Sequence, residues 1–395
     1  MINQLTRNRI LSIDAFRGIT ILVMIFVNSV AGVKGIPSWM QHAHADEDRM
    51  TFVDVVFPAF LFIVGMSIPF AINSRLTKGD SFFQLQRHIA WRTIGLLVLG
   101  VFMVNTSDLN SEATGISAAC WALLFYICVV LVWNVYKFQQ PWISWCFKGG
   151  GIVGLLILGW IYRGGEDGTM RLTPQWWGIL GLIGWAYLYS CIIYQLFKGV
   201  VSAYFLMIAV CIGYYILCQQ PFIHHGEWSW LGSQAGNAAH TAIVLCGMVL
   251  SLFYFDEELG LKGSRLVSRV TGFFSMLLLF GVFLRPEYKI SKIHATPSWC
   301  LFSAAICVVV FAVLYFLTDI KKVTGWTTFF KPAGSNPLLT YILPDIVYFG
   351  MMVAGIQLPA LLGEGLPGII WCMFFAVIML LLVKGLNKIG IRLQL

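Results

Sequence analysis

Charged residues are scarce in this sequence. Only 11% of its 395 residues are Asp, Glu, Lys or Arg, while 58% are hydrophobic. Soluble domains typically contain about 25% charged and 45–50% apolar residues. With a mean hydropathy of +0.80, most helices of this chain would expose apolar surface to water. The scarcity of charge therefore excludes a soluble fold and indicates a membrane protein.

Paired-cysteine motifs and polar linkers are absent as well. The ten cysteines form neither a CxxC pair nor a Cys/His cluster, so the sequence indicates no disulfide framework and no zinc site. No low-complexity tract, linker or convincing internal repeat divides the chain. We therefore expect one transmembrane domain over residues 1–395 and predict no bound metal.

The sequence contains instead a series of apolar runs, each about 20 residues long, the length that crosses a hydrocarbon core of roughly 30 Å as a helix. About twelve spans are predicted, at residues 10–32, 52–73, 89–106, 116–136, 149–162, 176–197, 200–218, 237–255, 270–284, 298–318, 335–354 and 367–386. Ten or eleven spans remain open because 149–218 is ambiguous. The predicted fold class is all-α, a polytopic integral membrane bundle of helices.

Lysine and arginine are distributed unequally between the predicted loops. With the N-terminus in the cytoplasm, eighteen lie in inner segments and seven in outer ones, and Arg17 within the first span completes the 26. This bias follows the positive-inside rule, so the net charge of +8 does not indicate a nucleic-acid partner. Six of the seven histidines lie on or near the predicted outer side: His42, His44, His224, His225, His240 and His294.

Several ionisable or polar residues cluster around the first two spans. Asp14 and Arg17 are three residues apart near the inner end of the first span, so they share a helical face. Asn28 closes that span at its outer end, His44 follows in the loop, and Asp54 enters the second span. Ionisable groups at such depths are costly in lipid and usually serve function or pairing. The spacing alone does not identify a reaction.

A block over residues 11–70 resembles the heparan-α-glucosaminide N-acetyltransferase family. It reads LSIDAFRG at 11–18, MIFVN at 24–28, His44-Ala45, Thr51, Asp54, VFP at 56–58 and FLFIVGMSI at 60–68. Weaker similarity follows at 87–92, 291–299 and 334–341. The resemblance implies a bacterial-type enzyme of the inner membrane that transfers an acetyl group from cytosolic acetyl-CoA to an amino sugar or glycan on the extracytoplasmic side.

The family's catalytic histidine corresponds to His44, because its spacing to Thr51 and Asp54 fits His44 and not His42. The companion asparagine corresponds to Asn28. The imidazole would act as a general base or carry the acetyl group, and the amide would donate to the thioester oxyanion.

Further roles are expected on the same resemblance and on charge. Asp14, Asp46 and Asp54 are supporting residues; Arg17, Arg92 and Asn336 are candidates for coenzyme binding; Glu47, Lys292 and Trp299 are candidates for acceptor binding. Coenzyme A, the acceptor and the lipid bilayer are the expected partners, and a homodimer is left open.

Two other functions compete with this one. A glycan O-acyltransferase of the cell envelope would share the Asp-x-Phe-Arg-Gly-like opening and a later histidine. A transporter or flippase would suit twelve spans with charges at depth, but no paired Gly/Pro-broken helices occur at corresponding places in two halves.

Overall fold

The computed structural model describes residues 10–220, 223 and 229–395, and these form helices joined by loops. Twelve long helices are numbered in chain order: α1 Leu11–Val30, α2 Val53–Thr77, α3 Phe82–Asn105, α4 Ala118–Trp133, α5 Pro141–Ile161, α6 Gly178–Phe197, α7 Val201–Cys218, α8 Ala235–Phe255, α9 Gly263–Tyr288, α10 Pro297–Tyr315, α11 Pro337–Val353 and α12 Gly365–Lys388. Within the described ranges, β structure is limited to isolated bridges. Arg7, Arg9, His224 and His225 lie outside the described residues.

Each predicted span overlaps one of these helices. Ten helical segments of the described chain are long and apolar enough to cross a membrane, and α4 and α11 are shorter apolar helices. The all-α, polytopic membrane fold predicted from the apolar runs is therefore confirmed.

Three helices begin well before the predicted span. α3 starts at Phe82 rather than 89, α5 at Pro141 rather than 149, and α9 at Gly263 rather than 270. The extra turns carry polar or cationic residues such as Gln84, Lys148 and Arg265. Hydropathy marks the part of a helix that contacts hydrocarbon, whereas the helical backbone continues into the interface.

The chain separates into two compact units. The first comprises residues 1–20, 37–93 and 183–327, and the second comprises 21–36, 94–182 and 328–395. In the first unit, α8 packs against α2, α7 and α10 and is buried along nearly its whole length. In the second unit, α4 packs against α5 and α11, and α11 packs against α12.

Glycine allows α2 and α8 to approach closely in the first unit. A Cβ atom at Gly65 would lie 1.8 Å from the carbonyl oxygen of Val244, and one at Gly247 would lie 2.0 Å from that of Phe62. Small residues at helix contacts are typical of membrane bundles, where packing contributes most of the association energy.

Many large apolar side chains outside these contacts are exposed, among them Trp160 and Phe283 at 77%. Contiguous apolar surface of this kind is rare on soluble proteins. It supports a lipid-facing exterior for the helices of both units.

Candidate active site

The segment that precedes α2 is organised around the carboxylate of Asp54. Asp54 lies in the first turn of α2 and its side chain is 1% exposed. Its Oδ1 is 2.7 Å from Nδ1 of His42. Its Oδ2 accepts hydrogen bonds from the main-chain N–H groups of Ala43, at 3.2 Å, and Thr51, at 3.0 Å. Both oxygens are therefore occupied, and the charge of the buried carboxylate is compensated by several donors.

The contact with Asp54 fixes the tautomer of His42. An ionised carboxylate only accepts hydrogen bonds, so Nδ1 of His42 carries the proton that it donates to Asp54. The lone pair of the neutral ring then lies on Nε2. Because the His42 side chain is 42% exposed, a substrate molecule could reach this nitrogen. An imidazole oriented by a buried carboxylate is the arrangement of a general base.

Lys292 lies beside the same ring, in the loop between α9 and α10. Its Nζ is 3.3 Å from Nδ1 and 3.4 Å from Nε2 of His42. Burial lowers the pKa of Lys292, and the charge of Asp54 opposes that shift. The loop thus places a partly desolvated amine next to the ring of His42.

Hydrogen bonds hold the two loops together. The carboxylate of Asp48 accepts from Nε of Arg285, at 3.0 Å, and from the main-chain N–H of Ile290, at 2.8 Å. The hydroxyl of Ser291 donates to the carbonyl oxygen of Ala45, at 3.0 Å. These contacts position the loop of Lys292 against the loop of His42.

Aromatic packing supports the site from inside the first unit. Trp299 is fully buried, and its indole N–H donates to the main-chain oxygen of Asp54 at 3.2 Å. The buried ring of His240 contacts Trp299 and Phe57 edge to face. Trp299, expected at the acceptor, therefore contacts the backbone that carries Asp54.

His44 is an exposed residue of the same segment. The main-chain N–H of His44 donates to Oε2 of Glu47 at 3.0 Å, and Arg49 Nε donates to the same oxygen at 2.8 Å. The hydrogen bond from Arg49, followed by that from His44, lowers the pKa of Glu47. Asp46 is exposed, and within the described residues no hydrogen bond joins it to the ring of His44.

The predicted coenzyme residues of the first unit lie on α1 and α3. Arg17 donates to Ser67 at 2.8 Å and pairs with Asp14 at 3.4 Å, as the three-residue spacing predicts. The guanidinium of Arg92 stacks on the ring of Tyr187, 4.7 Å from its centroid.

Asn28 and Asn336 belong to the second unit. Asn28 is exposed in the last turns of α1. Asn336 is 1% exposed; its amide donates to Asn387 at 2.8 Å and accepts from the main-chain N–H of Leu393 at 3.1 Å. Asn336 therefore attaches the C-terminal segment to the start of α11.

Two groups in the structure were not predicted from the sequence. The first is His42 as the partner of Asp54. The second is a pair inside the spans of the second unit, in which the hydroxyl of Tyr126 donates to Asp345 at 2.7 Å. Asp345 could have been noticed in the sequence, because a carboxylate within an apolar run is unusual. The contact between His42 and Asp54 could not, because it depends on how the loop folds. No group of three or more potential metal ligands occurs among the residues that the structure describes.

Comparisons with known proteins bear on this site. A family model described as a domain of unknown function, DUF5009, matches residues 9–199. The heparan-alpha-glucosaminide N-acetyltransferase of Homo sapiens is 40% identical over 97 residues, 25% of this chain and 14% of that protein. The Mus musculus protein of the same name is 37% identical over 98 residues, with the same coverage. The chain thus spans about one seventh of the length of these relatives. The homology confirms the resemblance predicted from the motifs and supports a membrane acyltransferase.

Proposed function

We propose, from the homology to heparan-alpha-glucosaminide N-acetyltransferase, that this protein is a transmembrane acetyltransferase. It would move an acetyl group from cytosolic acetyl-CoA to the amine of an amino sugar or glycan on the extracytoplasmic side. The observation that carries the proposal is the pair of His42 and buried Asp54, which lies within the block resembling that family.

The reaction requires one base and one oxyanion donor. The amine nitrogen, as its neutral form, attacks the thioester carbonyl carbon while the imidazole takes its proton. The carbon–sulfur bond then breaks, and the imidazolium returns the proton to the coenzyme A thiolate. Asn28 remains the proposed donor to the oxyanion, on the resemblance. Lys292, at 3.4 Å from Nε2 of His42, would place a further positive charge where the oxyanion develops.

Two histidines are candidates for the base, and different observations favour them. The spacing of the resembling block favours His44, whereas the geometry favours His42, because His42 contacts Asp54 and Lys292. Since an oriented imidazole is a better base than a freely rotating one, we assign the role to His42. Glu47, on the same loop, remains a proposed contributor to acceptor attraction. Asp46 remains the residue proposed to orient the imidazole in the alternative in which His44 is the base.

The proposed orientation has the 33–51 segment outside and the 74–88 segment inside. We expect a membrane-impermeant maleimide to label a Ser38→Cys variant in intact cells and a Lys78→Cys variant only after lysis. Both variants would carry Cys146→Ser, since Cys146 is exposed. Labelling of position 78 but not 38 in intact cells would reverse the orientation. The inner membrane of a bacterium is the proposed location.

Binding and turnover with defined substrates test the function itself. Acetyl-CoA should raise the unfolding temperature of the detergent-purified protein, because a ligand that binds only the folded state stabilises it. Glucosamine or a short amino-sugar glycan should then release free thiol from acetyl-CoA. A transporter would show neither effect. An O-acyltransferase would bind the donor but form an ester, which mild alkali cleaves, whereas the amide product resists alkali.

A further inference from the structure

A second cluster of polar side chains lies at the other end of α2 in the first unit. Arg75 is in the last turn of α2, and His88 and Arg92 are one turn apart on α3. His88 lies within electrostatic range of both arginines. The cluster also includes Asp80, whose Oδ2 is 2.8 Å from a guanidinium nitrogen of Arg75.

The hydrogen-bonding capacity of this cluster is only partly used. Asp80 is paired with Arg75, while Arg92 lies against the face of Tyr187. The Nε of Arg92 is buried and has no hydrogen-bond partner in the part of the chain that the structure describes. A buried donor without an acceptor is unfavourable, and more so when it is charged. The cluster therefore presents more donors and positive charge than its own side chains satisfy.

We propose that Arg75, His88 and Arg92 bind the phosphate groups of the coenzyme. Arginine suits this role because its planar guanidinium donates two parallel hydrogen bonds to phosphate oxygens. The guanidinium carbon of Arg92 lies over the ring of Tyr187, 4.7 Å from its centroid. This assignment rests on the proposed acetyltransferase function and extends the predicted role of Arg92 to two residues that the sequence did not indicate.

The position of the cluster along α2 agrees with entry of the donor from the cytosol. Twenty-one residues separate Asp54 from Arg75 within one helix, about 32 Å at 1.5 Å per residue. This distance is close to the thickness of the hydrocarbon core, roughly 30 Å. The imidazole site and the phosphate cluster therefore lie near opposite membrane surfaces, with the pantetheine arm of the coenzyme extending between them.

The phosphate group of an anionic lipid has the same chemistry, so the experiment must separate the two sources. Affinity for coenzyme A and for adenosine 3′,5′-bisphosphate is measured by calorimetry on the full-length protein in detergent. The variants are Arg75→Gln and Arg92→Gln. The matched control is Arg87→Gln, since Arg87 is an exposed arginine on α3, the helix that carries Arg92. A second arm measures retention of phosphatidylglycerol by each variant.

We expect Arg75→Gln and Arg92→Gln each to weaken binding of both nucleotides at least tenfold and Arg87→Gln to change it less than threefold. Arg92→Lys keeps the positive charge but loses the planar guanidinium, so its nucleotide affinity should lie between those of the parent and Arg92→Gln. Each variant should unfold at the temperature of the parent. Equal affinities in all variants, or a loss of phosphatidylglycerol alone, would overturn the assignment.

The same experiment separates this inference from the proposed function. Acetyl transfer that persists with unchanged coenzyme affinity in both variants would refute the phosphate site and leave the acetyltransferase in place. Arginine-dependent coenzyme binding in a protein that transfers no acetyl group would support the site and refute the function.

Discussion

Replacement of His42 by Ala is expected to lower the rate of acetyl transfer by about 100- to 10,000-fold, the usual contribution of a general base. The imidazole is the side chain that contacts the buried carboxylate of Asp54, and 42% of the His42 side chain is exposed. Binding of coenzyme A should change little, because the proposed phosphate site includes Arg75, at the other end of α2 from Asp54. The measurement is release of thiol from acetyl-CoA in the presence of glucosamine, with coenzyme affinity determined on the same preparation.

Two companion variants decide what His42 contributes. His44→Ala should retain nearly full activity, because the His44 ring has no hydrogen bond in the described structure, while its main-chain contact with Glu47 survives the substitution. Asp54→Asn should lose much of the rate, since the amide cannot both accept from Nδ1 and keep its other acceptor contacts. Loss of turnover in His44→Ala with full activity in His42→Ala would return the role to His44, as the spacing of the resembling block predicts.

The membrane fold could be predicted from the sequence because every segment that spans lipid must satisfy its own backbone hydrogen bonds. An apolar run of about 20 residues has few alternatives to a helix, and each of the twelve predicted runs overlaps a long helix in the described part of the chain. The starts of α3, α5 and α9 could not be read from hydropathy, because polar residues such as Gln84 and Arg265 continue a helix without contacting hydrocarbon.

The contacts within the candidate loop could be predicted from the sequence only in part. Spacing along the chain relates His44 to Asp54, whereas the folded loop brings His42 within 2.7 Å of the carboxylate. The turn closed by Glu47 and the main-chain donors of Ala43 and Thr51 decide which imidazole faces Asp54. Such contacts depend on the backbone path of the loop. An irregular loop has no repeating geometry, so the spacing of residues in the sequence does not predict which side chains meet.

Residues that are distant in the chain were the hardest to relate. Lys292 contacts His42 across 250 positions, and Tyr126 contacts Asp345 across 219. The sequence identifies such residues as polar groups in unusual places, but not their partners. The buried amide of Asn336 likewise accepts from the main-chain N–H of Leu393, 57 positions away, a contact that the sequence did not indicate.

Substitution of Gly65 or Gly247 by Ala is expected to destabilise the first unit strongly. At both positions the added methyl group would overlap a main-chain carbonyl of the facing helix, at 1.8 Å from Val244 and 2.0 Å from Phe62. A backbone atom cannot rotate away as a flexible side chain can, so α2 and α8 would have to separate. The cost should exceed the roughly 1–3 kcal/mol of a typical overpacked core.

The matched control is Gly213→Ala on α7, where an added Cβ meets no atom within 4 Å. Alanine is about 1 kcal/mol more favourable than glycine in a helix interior, so this variant should be as stable as the parent or slightly more stable. Thermal unfolding in detergent and the monodisperse fraction on size exclusion provide the measurement. If Gly65→Ala and Gly247→Ala unfold at the same temperature as Gly213→Ala, the close packing of α2 against α8 would be wrong. Because α2 carries Asp54 at one end and Arg75 at the other, a separation of these helices should also reduce coenzyme binding and acetyl transfer together.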